Sequence, residues 1–265
     1  MKIAIIGVGN MGRAVLAGLL QAGHEPADVH VGTRRPEHGR QLQERYGVTP
    51  ASNRDAVAAA EVVILGVKPY DIVNVLTEVG GSLRDQLVIS LAAGITTATM
   101  EAVVPAGVEV VRVMPNTPAL VGEGASAIAG GARTSEERLA LAQELMQATG
   151  VVVRLPERLI DAAAAISGSG PAYVFYIAEA MIEAGVHLGL PRPVAATLVT
   201  QTLVGSAQML RDTGEHPAVL REQVTSPGGT TAAALRELEA HRLRAAFLDA
   251  TRANLRRSQE IAREG

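Results

Sequence analysis

The chain has 265 residues, a formal net charge of −3 and no cysteine. That charge leaves no electrostatic footprint for nucleic acid, and the missing cysteine excludes disulfides, thiol catalysis and cysteine-metal sites and fits a cytoplasmic protein. Hydrophobic residues make up 48% but aromatics only 2%, so the core is built from Ala, Val, Leu and Ile. The six histidines are scattered with no pair at helical ligand spacing, which speaks against a built-in metal site.

The opening "MKIAIIGVGNMG" places a lysine before a short apolar run, as a signal peptide would. Glycine interrupts the run, however, and an amphipathic "GRAVLAGLLQAG" follows, so the reading is a buried strand feeding a helix. No other apolar run is long enough to cross a bilayer, and no membrane partner is expected. Gly7, Gly9 and Gly12 form G-x-G-x-x-G at the strand-to-helix junction, the context a dinucleotide fingerprint requires. Gly7 permits the tight turn, Gly9 lets a pyrophosphate approach the backbone, and Gly12 lets helix and strand pack. The same pattern also serves as a plain strand–helix turn.

The second strand, "VHVGT" (29–33), runs into "RRPE". An NAD site usually carries Asp or Glu at this strand end, for the ribose 2′-hydroxyl. Here Gly32 stands in that place, followed by Thr33, Arg34 and Arg35. A hydroxyl beside guanidinium groups suits a 2′-phosphate, so NADPH is the expected cofactor, with NADH as the alternative donor. A solvated basic turn is the bland alternative.

Further strand signals fall at 61–67, 86–92, 109–115 and 150–155, with amphipathic segments between several of them. Such alternation indicates a Rossmann-like, doubly wound and mostly parallel sheet, over residues 1–155. Strand ends carry unusual residues. Lys68 and Pro69 follow the strand at 61–67, small residues with a glycine follow the one at 86–92, and prolines flank Asn116 and Thr117. Lys68 and Lys2 are the two lysines of the chain, so an ammonium near a ribose or phosphate is the functional reading of Lys68. A lone surface lysine is the other.

After Pro156 the strand signals stop and long helical patterns follow, predicting an all-α domain over 156–265. "AAAAISGSGPAYVFYIAEAMIEAGV" is apolar around most of its circumference, which requires burial on more than one side. In a domain this small, a second subunit is the expected cover, with a compact monomeric bundle as the alternative. Toward the end, "TSPGGTTAAAL" (225–235) sets a glycine pair at the start of a helix. Consecutive backbone N–H groups there make an anion nest, with the helix dipole behind it. Alternatively, Ser226, Thr230 or Thr231 only caps the helix.

In this order, "IGVGNMGRA", "VKP", "MPNTP", "ISGSGPAY" and "TSPGGTT" resemble the pyrroline-5-carboxylate reductase family over nearly the whole chain. The resemblance implies reduction of 1-pyrroline-5-carboxylate to L-proline with NAD(P)H, the last step of proline synthesis. It implies a Rossmann domain and a helical domain that intertwines into a homodimer, which in the family often builds decamers. Carried over by position, Ile6, Gly7, Val8, Gly9, Asn10 and Met11 cover the pyrophosphate, and Thr33 and Arg34 meet the 2′-phosphate. Asn53 lies near the adenosine ribose. Gly66, Val67, Lys68 and Pro69, with Ala92 and Ala93, border the ribose and nicotinamide. Ser226, Gly228, Gly229, Thr230 and Thr231 hold the substrate, and Thr231 is the candidate proton donor to the imine nitrogen. The sequence offers no Ser-His-Asp set and no paired carboxylates, and an imine that arrives protonated needs neither. A related imine or β-hydroxyacid reductase is the rival enzyme, although the helical half has no lysine to act as that enzyme's catalyst. A non-catalytic NADP(H) sensor is the rival from another class, and it would have no use for a second anion nest.

Overall fold

A computed structural model describes residues 1–264, with side chains through residue 260. Among the described residues, eight strands make one sheet: β1 (Ile3–Ile6), β2 (Val29–Gly32), β3 (Thr49–Ala51), β4 (Val62–Leu65), β5 (Leu87–Ser90), β6 (Glu109–Met114), β7 (Gly124–Gly130) and β8 (Gly150–Arg154). Their order is β3-β2-β1-β4-β5-β6-β7-β8, and only the β6–β7 pair is antiparallel. Every residue of β1, β4 and β5 is buried, as strands covered on both faces require.

The period of two divides β1 between two cores. Ile3 and Ile5 face α1 (Asn10–Gln21), through Val15, Leu16 and Leu19. Leu42 of α2 (Pro36–Tyr46) joins the same core. Ala4 and Ile6 face the other way, toward α3 (Asn53–Ala59) and α4 (Ile72–Val79), through Val57, Leu76 and Val79. Met100 of α5 (Thr97–Glu101) extends that second core, and Leu145 of α6 (Glu136–Gln147) the first. The doubly wound Rossmann-like sheet expected from the strand–helix alternation is the observed fold.

Two strands carry no sequence signal. β3 is three residues long and contains Pro50, which a sheet tolerates at its edge. β7 reads GASAIAG, with Ile128 its one bulky residue. It runs back beside β6 and pairs parallel with β8.

Helical structure begins just past Pro156, but the first compact unit continues to Ser169 and regains the chain from Asn254. A buried ion cluster fastens the start of this extension. Arg112 on β6 is 3% exposed and pairs with Asp161 of α7 (Ile160–Ala163) at 2.6 Å and with Glu157 at 3.7 Å. Glu157 in turn accepts from the Thr97 amide and hydroxyl. Ile160 is fully buried against Ala127 and Ala129 of β7. These contacts bind the first helical turns to the sheet, so α7 and the π turn after it (Ala164–Gly168) belong to the first unit.

The second unit, Gly170–Ala253, contains α8 (Gly170–His187), α9 (Arg192–Thr213), α10 (Pro217–Gln223), α11 (Thr230–Ala240) and most of α12, whose full span is Leu243–Glu264. Helices α8 and α9 pack as a hairpin, with Gly185 against Ala195. Arg192 donates to both oxygens of Glu183, and this bonding and charge hold the Glu183 carboxyl below its ordinary pKa. Ala195 and Val199 are the apolar residues buried within this unit. Phe175, Tyr176, Leu188, Leu198 and Leu248 are all more than half exposed. Among the described residues, no helix is long and apolar enough to cross a membrane.

Replacing Arg112 with Met leaves Asp161 and Glu157 facing each other without their cation. Urea unfolding of Arg112→Met is expected to show a loss of about 3 kcal/mol, the low end for a buried pair because both acids are partly exposed. Unchanged stability would remove the cluster as the fastener of α7.

Candidate cofactor and substrate sites

A cleft of about 540 Å³ follows the carboxyl ends of β1, β2 and β4, where open α/β sheets bind ligands. Its floor is the glycine loop. Gly7 has φ +86°, a conformation open to glycine, and its N–H donates to Gly32 O at 3.0 Å. A Cβ on Gly12 would lie 2.5 Å from the Gly7 carbonyl oxygen, and one on Gly66 would strike the same atom. By contrast, a Cβ on Gly9 would meet no protein atom within 4 Å. Gly9 is the N-cap of α1, which has no side-chain cap and no acid in its first turn. The uncapped N–H groups at this helix start face open space, a setting made for an anion.

The wall after β2 explains the missing acid. Any Cβ at Gly32 would run into Asn53 Oδ1 and come 2.7 Å from Ile6 Cδ1. Asn53 is fixed by donating through Nδ2 to the Glu78 carboxylate at 3.2 and 3.3 Å. Its carbonyl oxygen therefore faces the strand end, where an acceptor for a ribose hydroxyl is wanted. The Thr33 hydroxyl donates to the Arg35 carbonyl at 3.0 Å, and Arg34 pairs with Asp71 at 2.6 Å.

Among the expected cofactor residues, the cleft brings together Ile6, Gly7, Val8, Gly9, Thr33, Arg34, Asn53, Gly66, Val67 and Lys68. Asn10 and Met11 stand behind it, as the first two residues of α1. The Asn10 side chain accepts from Arg13, and Met11 packs on the core. Pro69 starts the short turn before α4. Ala92 is 3% exposed within the second core, and Ala93 is exposed just beyond β5. Sequence reading passed over His38, Tyr70, Asp71 and Val75, which also line the cleft. Asp71 carried the one available signal, an acid two residues past Lys68-Pro69.

Asn116 has a structural task. Its Oδ1 accepts from the Ala125 amide at 2.9 Å and its Nδ2 donates to Ser167 O at 3.1 Å. It thereby ties the β6–β7 turn to the π turn, and Gly168 lies so close to Met114 that a Cβ would come 2.5 Å from its Cε.

In the second unit, Gly228 has φ +67° and Gly229 is the N-cap of α11. No side chain caps this helix and no acid lies in its first turn. The hydroxyls of Ser226, Thr230 and Thr231 are thus not spent on capping. A Cβ on Gly229 would collide with Ser226 Oγ, while the Gly229 N–H donates to Ser226 O at 3.0 Å. Thr231 is half-buried, and Ser226, Gly228 and Thr230 are exposed. The loop has the backbone form of an anion nest at a helix start.

Residues 157–261 match the family described as "Pyrroline-5-carboxylate reductase dimerisation". Residues 2–94 match "NADP oxidoreductase coenzyme F420-dependent". A pyrroline-5-carboxylate reductase of Corynebacterium melassecola is 45% identical over 266 residues, covering 98% of each chain. The solved pyrroline-5-carboxylate reductase of Coxiella burnetii is similar with a TM-score of 0.94 at 39% identity, covering 98% of this chain and 97% of its own. The Plasmodium falciparum pyrroline carboxylate reductase, solved with NADP bound, has a TM-score of 0.87 at 28% identity, covering 99% and 98%.

The glycines make a sharp test. Gly9→Ala is expected to fold with an unchanged melting temperature but to lose about tenfold or more in dinucleotide affinity, since its methyl group enters the anion's space. Gly12→Ala is expected to lower the melting temperature, because its methyl group meets backbone. Equal destabilisation by both would mean that the Gly9 side of the loop is not a ligand surface.

Proposed function

The chain belongs to the pyrroline-5-carboxylate reductase family, and from that premise we infer that it reduces 1-pyrroline-5-carboxylate to L-proline with NAD(P)H. The observation that carries this reading is relatedness to such a reductase over 98% of the chain, spanning both glycine loops. Bound NADPH supplies the hydride that reduces the C=N carbon. The protein's work is to hold, orient and balance charge.

The N–H groups at the start of α1 meet the cofactor pyrophosphate, and Gly9 keeps the approach clear. Those at the start of α11 meet the substrate carboxylate, which fixes the ring by its one permanent charge. Ser226, Gly228, Gly229 and Thr230 shape this nest. Thr231 hydrogen-bonds the ring nitrogen, which is basic enough to bring its own proton. The Thr231 hydroxyl donates to the nitrogen of the neutral imine and would accept from the N–H of the protonated one, so no acid or lysine is required. Lys68, at the cleft rim, complements phosphate or ribose, while Pro69, Ala92 and Ala93 border the nicotinamide.

NADPH is the preferred donor. Gly32 excludes the acid that would repel a 2′-phosphate, and Thr33, Arg34 and Arg35 lie at the same strand end. A relative of this fold has been solved with NADP. Residues 1–155 serve the cofactor, and substrate and assembly fall to the helical part after Pro156, whose first turns up to Ser169 are fastened to the sheet. The exposed apolar helices of the second unit, within a matched dimerisation region, support a homodimer as the working unit. The family's decamer is the larger assembly this dimer would build. A chain without cysteine suits the cytoplasm.

Three measurements test this reading. NADPH oxidation is expected with 1-pyrroline-5-carboxylate, with equimolar proline formed, and none with a β-keto acid. Oxidation of the keto acid alone would favour a hydroxyacid reductase, and binding without turnover a sensor. Arg34→Ala with Arg35→Ala is expected to raise KM for NADPH about tenfold relative to KM for NADH, the scale of losing charge-assisted phosphate bonds. Equal changes would refute the 2′-phosphate assignment. Thr231→Ala is expected to lower kcat about tenfold to a hundredfold, less than loss of a dedicated general acid, with folding intact. Full turnover in this variant would end the donor role.

A further inference from the structure

Two residues on opposite walls of the cofactor cleft are joined to each other. Arg34, in the turn after β2, donates through Nη2 to Oδ2 of Asp71, in the turn before α4, at 2.6 Å. Both line the cleft, so the ion pair spans the loops that flank its adenosine end. The partners are unequal. The Arg34 side chain is 77% exposed and that of Asp71 only 17%. Asp71 is the anchored member and Arg34 the arm that can swing.

Asp71 has a second support that Arg34 lacks. It is the N-cap residue of α4, where the helix dipole favours a negative charge, though its side chain makes no capping bond. The carboxylate is therefore tolerated in place when the guanidinium leaves. A 2′-phosphate brings a charge of about −1.5 to −2 to the same end of the cleft. It meets a guanidinium already engaged, with a fixed carboxylate beside it. NADH carries a neutral hydroxyl at this position and has no claim on Arg34.

We propose that Asp71 sets the balance between NADPH and NADH by competing with the 2′-phosphate for Arg34. NADPH binding moves Arg34 from Asp71 to the phosphate, and NADH binding leaves the bridge closed. Arg34 draws the site toward NADPH, and Asp71 draws it part of the way back. The proposal rests on Arg34 being the 2′-phosphate ligand, as argued above.

The test is a double-mutant cycle read in Kd for each cofactor, titrated by nicotinamide fluorescence without substrate, and in KM for each at saturating 1-pyrroline-5-carboxylate. Asp71→Asn removes the charge and keeps the shape, and Asn is equally suited to a helix start. With Arg34 present, KM for NADPH is expected to fall about two- to fivefold, the factor an exposed ion pair corresponds to, with KM for NADH unchanged. In the Arg34→Ala background the same change is expected to do nothing. A fall that persists without Arg34, an equal shift for both cofactors, or a rise in KM for NADPH would overturn the proposal. Arg34→Ala alone separates it from its premise. If that variant leaves KM for NADPH unchanged, Arg34 is not the phosphate ligand and both ideas fail. If it raises KM while Asp71→Asn is silent, only the competition fails.

Discussion

The carbonyl oxygen of Gly7 occupies space that side chains on two other residues would need. A Cβ on Gly12 or on Gly66 would collide with it. At this point β1, the start of α1 and the end of β4 meet backbone to backbone. The close approach fixes where α1 begins over the carboxyl edge of the sheet and leaves Gly9 turned outward. A helix start held this way, without a cap of its own, leaves N–H groups suited to an anion. The second unit repeats the device with Gly228 in a left-handed turn and Gly229 as an uncapped helix start. Two nests on one chain match a reaction that joins two anionic molecules.

The second unit stands under a different constraint. Its helices are rich in Ala, Val and Leu, yet α8 has no buried residue within the chain. Burial of apolar area is the main driving force for helix packing. So little enclosed apolar surface is in keeping with the dimerisation family that residues 157–261 match. The sequence shows the same thing as helices with almost no polar side. The few aromatics concentrate there, with Tyr173, Phe175 and Tyr176 all on α8.

Much of this was readable because each feature leaves a residue-level mark. Strands buried on both faces need near-continuous apolar runs rich in Val, Ile and Leu, so β1, β4 and β5 stand out. Left-handed turns and backbone contacts need glycine, so both nests are visible in the sequence. What stayed hidden depends on long-range neighbours. β7 owes its place to the strands on either side and not to its own Gly-Ala composition. Helix periodicity starts after Pro156, but Arg112 fastens α7 to the sheet across 49 residues of sequence. The Arg34–Asp71 pair joins turns 37 residues apart, and neither turn alone suggests it.

The central claim is that each glycine-headed helix holds a different anion. Inhibition of NADPH oxidation by cyclopentanecarboxylate tests it most directly, because that molecule keeps the ring carboxylate and lacks the imine. Competition against 1-pyrroline-5-carboxylate, with none against NADPH, is the predicted pattern. Competition against NADPH would place the ring carboxylate in the cofactor's nest and contradict the account.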